Sequence, residues 1–139
     1  MENSKNYWLI RSPYQHKTWD DVLMRNLFRL QGIRNPEASK SIGQMRPGDE
    51  ALYYNNVGEK AIYGILEISK PPYADPTANE AKWMGVDGIP IKTFEPPLSL
   101  ETLKSIDELS DSPLLTRPRL SVSRLAQIEF DTIINRAKQ

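Results

Sequence analysis

Cysteine is absent from the 139-residue sequence, and histidine occurs once, as His16. The lack of cysteine excludes disulfides, thiolate nucleophiles and cysteine-based zinc sites. A Ser-His-Asp triad or a histidine-rich metal site would have to be built around His16 alone. Catalysis by His16, Asp49 or Asp87 is disfavoured because no nucleophile, base and orienting group are spaced as in a known motif. We therefore predict no enzyme activity, no cofactor and no metal.

The sequence also lacks net charge and long apolar segments. Its Lys and Arg residues number 18 and its Asp and Glu residues number 18, so it lacks the global basicity of a salt-driven DNA-binding protein. If nucleic acid binds, a local pocket must bind it. No run approaches the ~18 apolar residues that a membrane-spanning helix needs, and the start of the chain has no apolar signal segment. We therefore expect no membrane partner and cytoplasmic residence.

What remains is the composition of an ordinary folded domain, with 39% hydrophobic and 26% charged residues. We predict one domain over residues 1–139, with residues 1–5 disordered. Its organising segment is a long hairpin, with one strand over residues 51–54 and a returning strand over residues 61–68. Apolar residues occupy both faces of these strands, so the hairpin should be central. Gly64 interrupts the second strand, which is typical of a bulge, a barrel bend or a close backbone approach.

The other elements are predicted from hydrophobic period, capping residues and prolines. A first strand ends at Pro13 and leaves Ser12 at its tip, and a helix begins at Thr18 and fades over residues 28–30. In the middle of the chain we predict a helix over 37–42 ended by Gly43, a helical turn over 78–82 and an interrupted strand over 83–94 with Val86, Ile89 and Ile91 in the core. A turn at 95–97 and a short helix capped by Ser99 follow. The last predicted elements are a loop over 107–118, a strand over 119–123 and a helix over 126–138.

The loop before the second helix, QGIRNP at 31–36, allows two interpretations. The Arg34 guanidinium suits carboxylates, phosphates or base edges, and Asn35 presents a donor and an acceptor together, so both residues could bind a ligand. Alternatively, Arg34 pairs with an acidic residue and Asn35 caps the following helix.

Several motifs together resemble the EVE domain family, which belongs to the PUA-like superfamily. They are YWLIRSP at 7–13, QGIRNPEA at 31–38, MRPGD at 45–49, LYYN at 52–55, YADPT at 73–77, W-x-x-VD at 83–87 and RLSV at 119–122. The resemblance implies an α+β fold, a PUA-like β-barrel of about five to six strands with flanking helices. It also implies a non-catalytic reader of modified bases in DNA or RNA, related to YTH domains that read methylated adenine.

The sequence departs from the family pattern at positions that would contact a base. Arg11 stands where the family has lysine, and Leu30 stands where it has tryptophan, a natural stacking wall for a flipped base. The pocket that the resemblance and the residue types imply contains Ser12, Leu30, Ile33, Arg34, Asn35, Tyr54, Asn55 and Ser121, with Arg117 and Arg119 contacting phosphates. Trp8 and Tyr54 are either stacking walls or core residues, and Arg119 either contacts phosphate or forms an internal ion pair. A small-molecule- or protein-binding module with a diverged pocket is the alternative function.

Overall fold

A computed structural model describes residues 5–12, 18–55 and 60–138. The helices are α1 (Trp19–Arg25), α2 (Pro36–Gly43), α3 (Leu100–Lys104), α4 (Pro113–Thr116) and α5 (Gln127–Ala137), with a 3₁₀ turn over Asp107–Leu109. The strands are β1 (Tyr7–Arg11), β2 (Phe28–Leu30), β3 (Glu50–Asn55), β4 (Ala61–Ile68), β5 (Tyr73–Ala74), β6 (Met84–Ser99) and β7 (Val122–Leu125). The predictions for residues 1–4, Pro13, His16, Asn56 and Gly58 fall outside the described residues.

The strands form one curled mixed sheet in the order β2-β6-β4-β3-β1-β7, with β5 paired to β6. The predicted hairpin is confirmed, because β3 and β4 pair antiparallel. β1 lies on the other side of β3 and runs parallel to it, with Arg11 opposite Tyr54. The sheet forms a half-barrel with flanking helices, so the expected α+β barrel fold is also confirmed.

The sheet has an apolar core on each face, which explains why the hairpin strands are apolar on both sides. Successive residues of β1 point in opposite directions, so Trp8 and Ile10 pack in one core and Leu9 packs in the other. The first core includes α1 and α2, and the second includes α3, α4 and α5. Ends of the same strands can therefore present side chains to two different surfaces.

Gly64 has the role that its position in the strand predicted. The register between β4 and β6 shifts between Ile62 and Gly64, which marks a bulge. A Cβ atom at residue 64 would lie 2.3 Å from the Lys92 carbonyl oxygen and 2.3 Å from a ring carbon of Trp19. The absence of a side chain therefore lets the Trp19 indole pack directly on the β4 backbone.

The predicted fading helix over residues 28–30 is wrong, because these residues form β2. Asn26 ends α1 in the left-handed conformation with φ of 52°. Phe28 and Leu30 are then buried on either side of exposed Arg29, and the three residues pair with β6. Three residues are too few to show a clear strand period in the sequence.

The predicted turn at residues 95–97 is also wrong, because β6 continues through it to Ser99. Thr93 pairs with Gly64 and Leu98 pairs with Ile62, whereas residues 94–97 between them bulge out of the β4–β6 register. Ile91, predicted in the core, is 44% exposed. Residues 78–82 form turns and bends instead of the predicted helical turn. The predicted loop over 107–118 contains the 3₁₀ turn and α4. Gly43 is the last residue of α2.

Candidate functional site

The carboxyl ends of the parallel strands β1 and β3 bring Ser12 and Asn55 together. The Ser12 backbone N–H donates to the Tyr54 carbonyl oxygen at 3.0 Å. The Tyr53 hydroxyl accepts from the Asn55 side-chain amide at 3.0 Å and is hydrogen-bonded to the Ser12 side chain. Burial raises the pKa of the Tyr53 hydroxyl, and the bonds to Ser12 and Asn55 oppose that shift. These three side chains form a polar cluster at the edge of the first core.

A cleft with a volume of about 350 Å³ opens beside this cluster. Asn55 lies at the cluster end, and Trp19 and Tyr63 are among the aromatic residues of the wall. The Trp19 indole N–H donates to the Thr93 hydroxyl at 2.9 Å, which fixes the ring over Gly64. Two exposed carboxylates, Asp20 and Glu95, also line the cleft. The cleft thus combines apolar walls with amide, hydroxyl and carboxylate groups.

Tyr54 lies on the opposite face of the sheet from this cleft. Its ring packs in the second core, 5.3 Å from the guanidinium carbon of Arg11. Arg11 donates to the carbonyl oxygens of Arg117 at 3.1 Å and Leu120 at 3.0 Å, and also to that of Leu114. The sheet therefore separates Tyr54 from Ser12, although the sequence places both in one pocket.

Arg34 and Asn35 form the contacts that the alternative interpretation of their loop describes. Arg34 donates to the Asp75 carboxylate at 3.0 Å and to the Thr77 hydroxyl at 3.1 Å. The Asn35 side-chain oxygen accepts from the Ala38 N–H at 2.9 Å and caps α2. Both residues are exposed, so these contacts leave part of each side chain in solvent.

Asp75 is a buried organising residue that the sequence analysis missed. Its carboxylate accepts from the Gly32 N–H at 2.7 Å and from the Thr77 N–H and hydroxyl at 2.8 Å, in addition to Arg34. Burial alone would raise the pKa of Asp75, but these hydrogen bonds outweigh burial and lower it to about 2. The Asp-Pro-Thr sequence is a signal for such a turn, in which an aspartate binds the backbone two residues later.

The other predicted site residues are divided between the first core and the surface. Leu30 and Ile33 are buried in the first core, with Leu30 at 0% exposure. The half-buried Ser121 accepts from the Arg11 N–H through its carbonyl at 2.8 Å. Arg117 forms two hydrogen bonds with Glu37, at 2.7 and 3.2 Å, which lower the pKa of Glu37. Arg119 is exposed and has no ion pair within the described residues.

The remaining candidates form hydrogen bonds or ion pairs within the protein; they are Trp8, Asp49 and Asp87. Trp8 is fully buried, and its indole N–H donates to Asp49 at 3.0 Å. Asp87 accepts from the Tyr73 hydroxyl and pairs with Lys70 at 3.2 Å. Desolvation first, and then Asp87, raise the pKa of Tyr73 to about 12. Within the described ranges, no cluster of three or more acidic or histidine side chains could hold a metal ion, and no helix is long and apolar enough to span a membrane.

Comparison with known proteins shows similarity over nearly the whole chain. Residues 6–136 match the EVE domain. Human thymocyte nuclear protein 1 is 30% identical, over 97% of this chain and 75% of its own length. The crystal structure of human THYN1 in complex with DNA containing 5-methylcytosine has a TM-score of 0.85 at 25% identity, covering 97% of this chain and 99% of that one.

Two further solved structures share the fold. A hypothetical protein from Leishmania major has a TM-score of 0.89 at 27% identity, covering 97% of this chain and 96% of that one. A YTH domain from Zygosaccharomyces rouxii has a TM-score of 0.59 at 9% identity, covering 99% of this chain and 89% of that one. The second similarity concerns the fold alone, and it agrees with the PUA-like architecture that the sequence motifs implied.

Proposed function

Because the chain belongs to the EVE domain family, we propose that it is a non-catalytic module that binds nucleic acid carrying a modified base. The base is flipped out of its stack and held at the carboxyl ends of β1 and β3. The observation that carries this proposal is the polar cluster of Ser12, Tyr53 and Asn55 beside an open cleft. The complex of human THYN1 with DNA containing 5-methylcytosine supports it from a relative of the same fold.

The chemistry of the cleft suits a flipped base. Such a base needs apolar or flat walls and polar groups for its Watson–Crick edge. The half-buried Tyr63 ring supplies a wall, and the Asn55 amide, which donates to the Tyr53 hydroxyl, is the polar group at the inner end. A carboxylate can accept from the exocyclic amino group of cytosine, and Glu95 lies at the rim. The volume of about 350 Å³ falls within the range of about 300 to 1,000 Å³ typical of small-molecule pockets.

The pocket residues predicted from the sequence have different places in this proposal. Ser12 belongs to the polar cluster, whereas Leu30 and Ile33 are buried in the first core. Arg34 and Asn35 retain exposed atoms that can meet a strand passing over the loop. Cytoplasmic residence remains a prediction from the sequence.

The test compares short single strands of DNA and RNA that are identical except for one base, cytosine or 5-methylcytosine, by fluorescence anisotropy. Asn55→Ala removes the buried amide, and Asn135→Ala is the matched control on the exposed face of α5. Loss of a buried hydrogen-bonding partner costs about 1 to 3 kcal/mol, so we expect Asn55→Ala to bind roughly tenfold more weakly or worse. The control variant should match the wild type.

Two results would contradict this proposal. One is equal affinity of the wild type for every base, in either type of strand. The other is unchanged affinity in an Asn55→Ala variant whose thermal unfolding matches that of the wild type. Leu30, buried where the family has an aromatic residue, favours the second candidate, a small-molecule- or protein-binding module. Saturable binding of such a partner, with no nucleic-acid binding, would support that candidate.

A further inference from the structure

A second cavity lies on the opposite face of the sheet, at the same strand ends. Its volume is about 320 Å³, and it is lined by Arg11, Tyr54, Lys60, Leu100, Lys104, Leu114, Leu115 and Pro118. Three of these residues are cationic, and no described lining residue is acidic. A cavity that gathers positive charge without a carboxylate is suited to an anion.

The fold fixes the backbone positions of Lys60 and Lys104. The Leu100 N–H donates to the Lys60 carbonyl oxygen at 2.8 Å, which joins the start of β4 to the start of α3. Lys104 lies in the last turn of this helix. Both lysines are exposed, and neither has an ion-pair partner in the part of the chain that the structure describes. Their ammonium groups can therefore converge on a ligand without breaking a salt bridge among those residues.

Arg11 is the inner cation of this cavity. Its guanidinium has five N–H donors, and the described contacts use three of them, two on Nη1 and one on Nη2, all to carbonyl oxygens. It has no carboxylate partner among the described residues. Burial lowers the pKa of Arg11, which reflects the cost of holding a cation there. A bound anion would offset this cost.

We propose that Arg11, Lys60 and Lys104 form a phosphate-binding site, with the Tyr54 hydroxyl as an additional donor. A phosphate presents several acceptor oxygens, which match a guanidinium and two ammonium groups. Burial raises the pKa of Tyr54, so its hydroxyl is protonated and can donate near neutral pH. The site differs from the phosphate contacts predicted from the sequence, because neither Arg117 nor Arg119 lines the cavity.

The position of the cavity relates this site to the base cleft. Arg11 precedes Ser12, and Tyr54 precedes Asn55, and neighbouring strand residues face opposite sides of the sheet. A nucleic-acid strand crossing the ends of β1 and β3 would place a base on one side and a phosphate on the other. A phosphate that belongs to a nucleic-acid strand would reach this site only if the proposed function is correct. Inorganic phosphate or a free nucleotide would bind the same groups independently of that function.

The test uses the full chain and a double variant, Lys60→Gln with Lys104→Gln. Arg11 is left unchanged because its bonds to three carbonyl groups hold the segment before β7. The control is Lys92→Gln with Lys138→Gln, which removes two exposed lysines that do not line the cavity. Thermal unfolding checks that both variants are folded. The probes are inorganic phosphate, followed by amide NMR shifts, and a single-stranded oligonucleotide containing 5-methylcytosine, followed by anisotropy at several salt concentrations.

We expect phosphate to shift the amides of Lys60, Leu100, Lys104 and Leu115 in the wild type and the control, and these shifts to disappear in the double variant. Oligonucleotide affinity should fall by about tenfold or more in the double variant, which corresponds to the loss of one charge-assisted contact. The slope of log K against log salt should become shallower by about 0.7, the value for one phosphate of a single strand.

The phosphate and oligonucleotide measurements together distinguish the possible sources of the bound phosphate, and they also distinguish this proposal from the proposed function. Phosphate shifts without oligonucleotide binding would support this site and contradict the proposed function. Phosphate shifts with unchanged oligonucleotide affinity and slope would assign the site to inorganic phosphate or a free nucleotide. Oligonucleotide binding with no phosphate shifts, and with equal affinity and slope in both variants, would overturn the phosphate site while leaving the proposed function intact.

Discussion

Replacing Gly64 with alanine should strongly destabilise the protein, because the added methyl group has no space. A Cβ atom there would lie 2.3 Å from the Lys92 carbonyl oxygen and 2.3 and 2.8 Å from two ring carbons of Trp19. Real Cβ atoms do not approach other heavy atoms below 3.0 Å. Backbone and a buried ring must therefore move together.

The magnitude follows from which groups have to move. Overpacking a core costs roughly 1 to 3 kcal/mol when side chains can adjust. Here one obstacle is the backbone of the paired strand β6, and the other is an indole that is hydrogen-bonded to Thr93. We therefore expect a loss of about 3 kcal/mol in the free energy of unfolding, or about 12 °C in Tm for a domain of this size.

Urea and thermal unfolding of Gly64→Ala measure this loss, with Gly43→Ala as the matched control. A Cβ at residue 43 meets only Met84, at 3.7 Å, and Gly43 lies at the end of α2, where alanine is the better helix former. The control should be neutral or slightly more stable. Gly64→Ala combined with Trp19→Ala should lose less than the two single changes added together, since the indole no longer clashes. Unfolding of Gly64→Ala within about 0.5 kcal/mol of the wild type would refute the packing argument.

Three further predictions concern buried groups. Asp49→Ala should cost about 3 kcal/mol in denaturant unfolding, because the Trp8 indole and two backbone N–H groups lose their acceptor, and a loss below about 1 kcal/mol would contradict this. The pKa of Asp75 is lowered in the folded state, so its stabilising contribution is present above about pH 4 and should be lost towards about pH 2. Asp75→Asn should flatten that part of the stability profile, and an unchanged profile would exclude this carboxylate as the source. Leu30→Trp should lower the free energy of unfolding by about 1 to 3 kcal/mol because Leu30 is fully buried; a stable variant with tighter oligonucleotide binding would instead place residue 30 in the pocket wall.

The β3–β4 hairpin and α5, which have the strongest local signals, were predicted correctly from the sequence. The β3–β4 hairpin has continuous apolar strands, and α5 has an apolar stripe that includes Phe130 and Ile133. β2 was missed because its three residues are defined by pairing with β6, which is distant in the sequence. The prolines after Glu95 indicated a turn, whereas the segment lies within β6 as a bulge between Thr93 and Leu98, which both pair with β4. Tertiary pairing overrides local preference in both cases.

The structure brings only some of the predicted site residues together. Ser12 and Asn55 do come together, because β1 and β3 are parallel and in register. Tyr54 does not join them, since neighbouring strand residues face opposite cores and the β3–β4 bulge lies at this point. The Arg34–Asp75 pair joins residues 41 positions apart. Nothing in either local segment identifies the partner of the other.

The balanced net charge of the chain hides a separation of charge between the two faces at this end of the sheet. Asp20 and Glu95 line the cleft beside the polar cluster, whereas Lys60 and Lys104 line the cavity on the other side with Arg11. A phosphate placed at the acidic rim would be repelled, so under the proposed function a bound strand would cross the ends of β1 and β3 to reach the cations. Each neutralised phosphate of a single strand contributes about 0.7 to the salt slope, and one such cavity accounts for one phosphate. A shallow salt dependence is therefore the expected behaviour of this arrangement, because the number of phosphates bound depends on the local cations and not on the net charge of the chain.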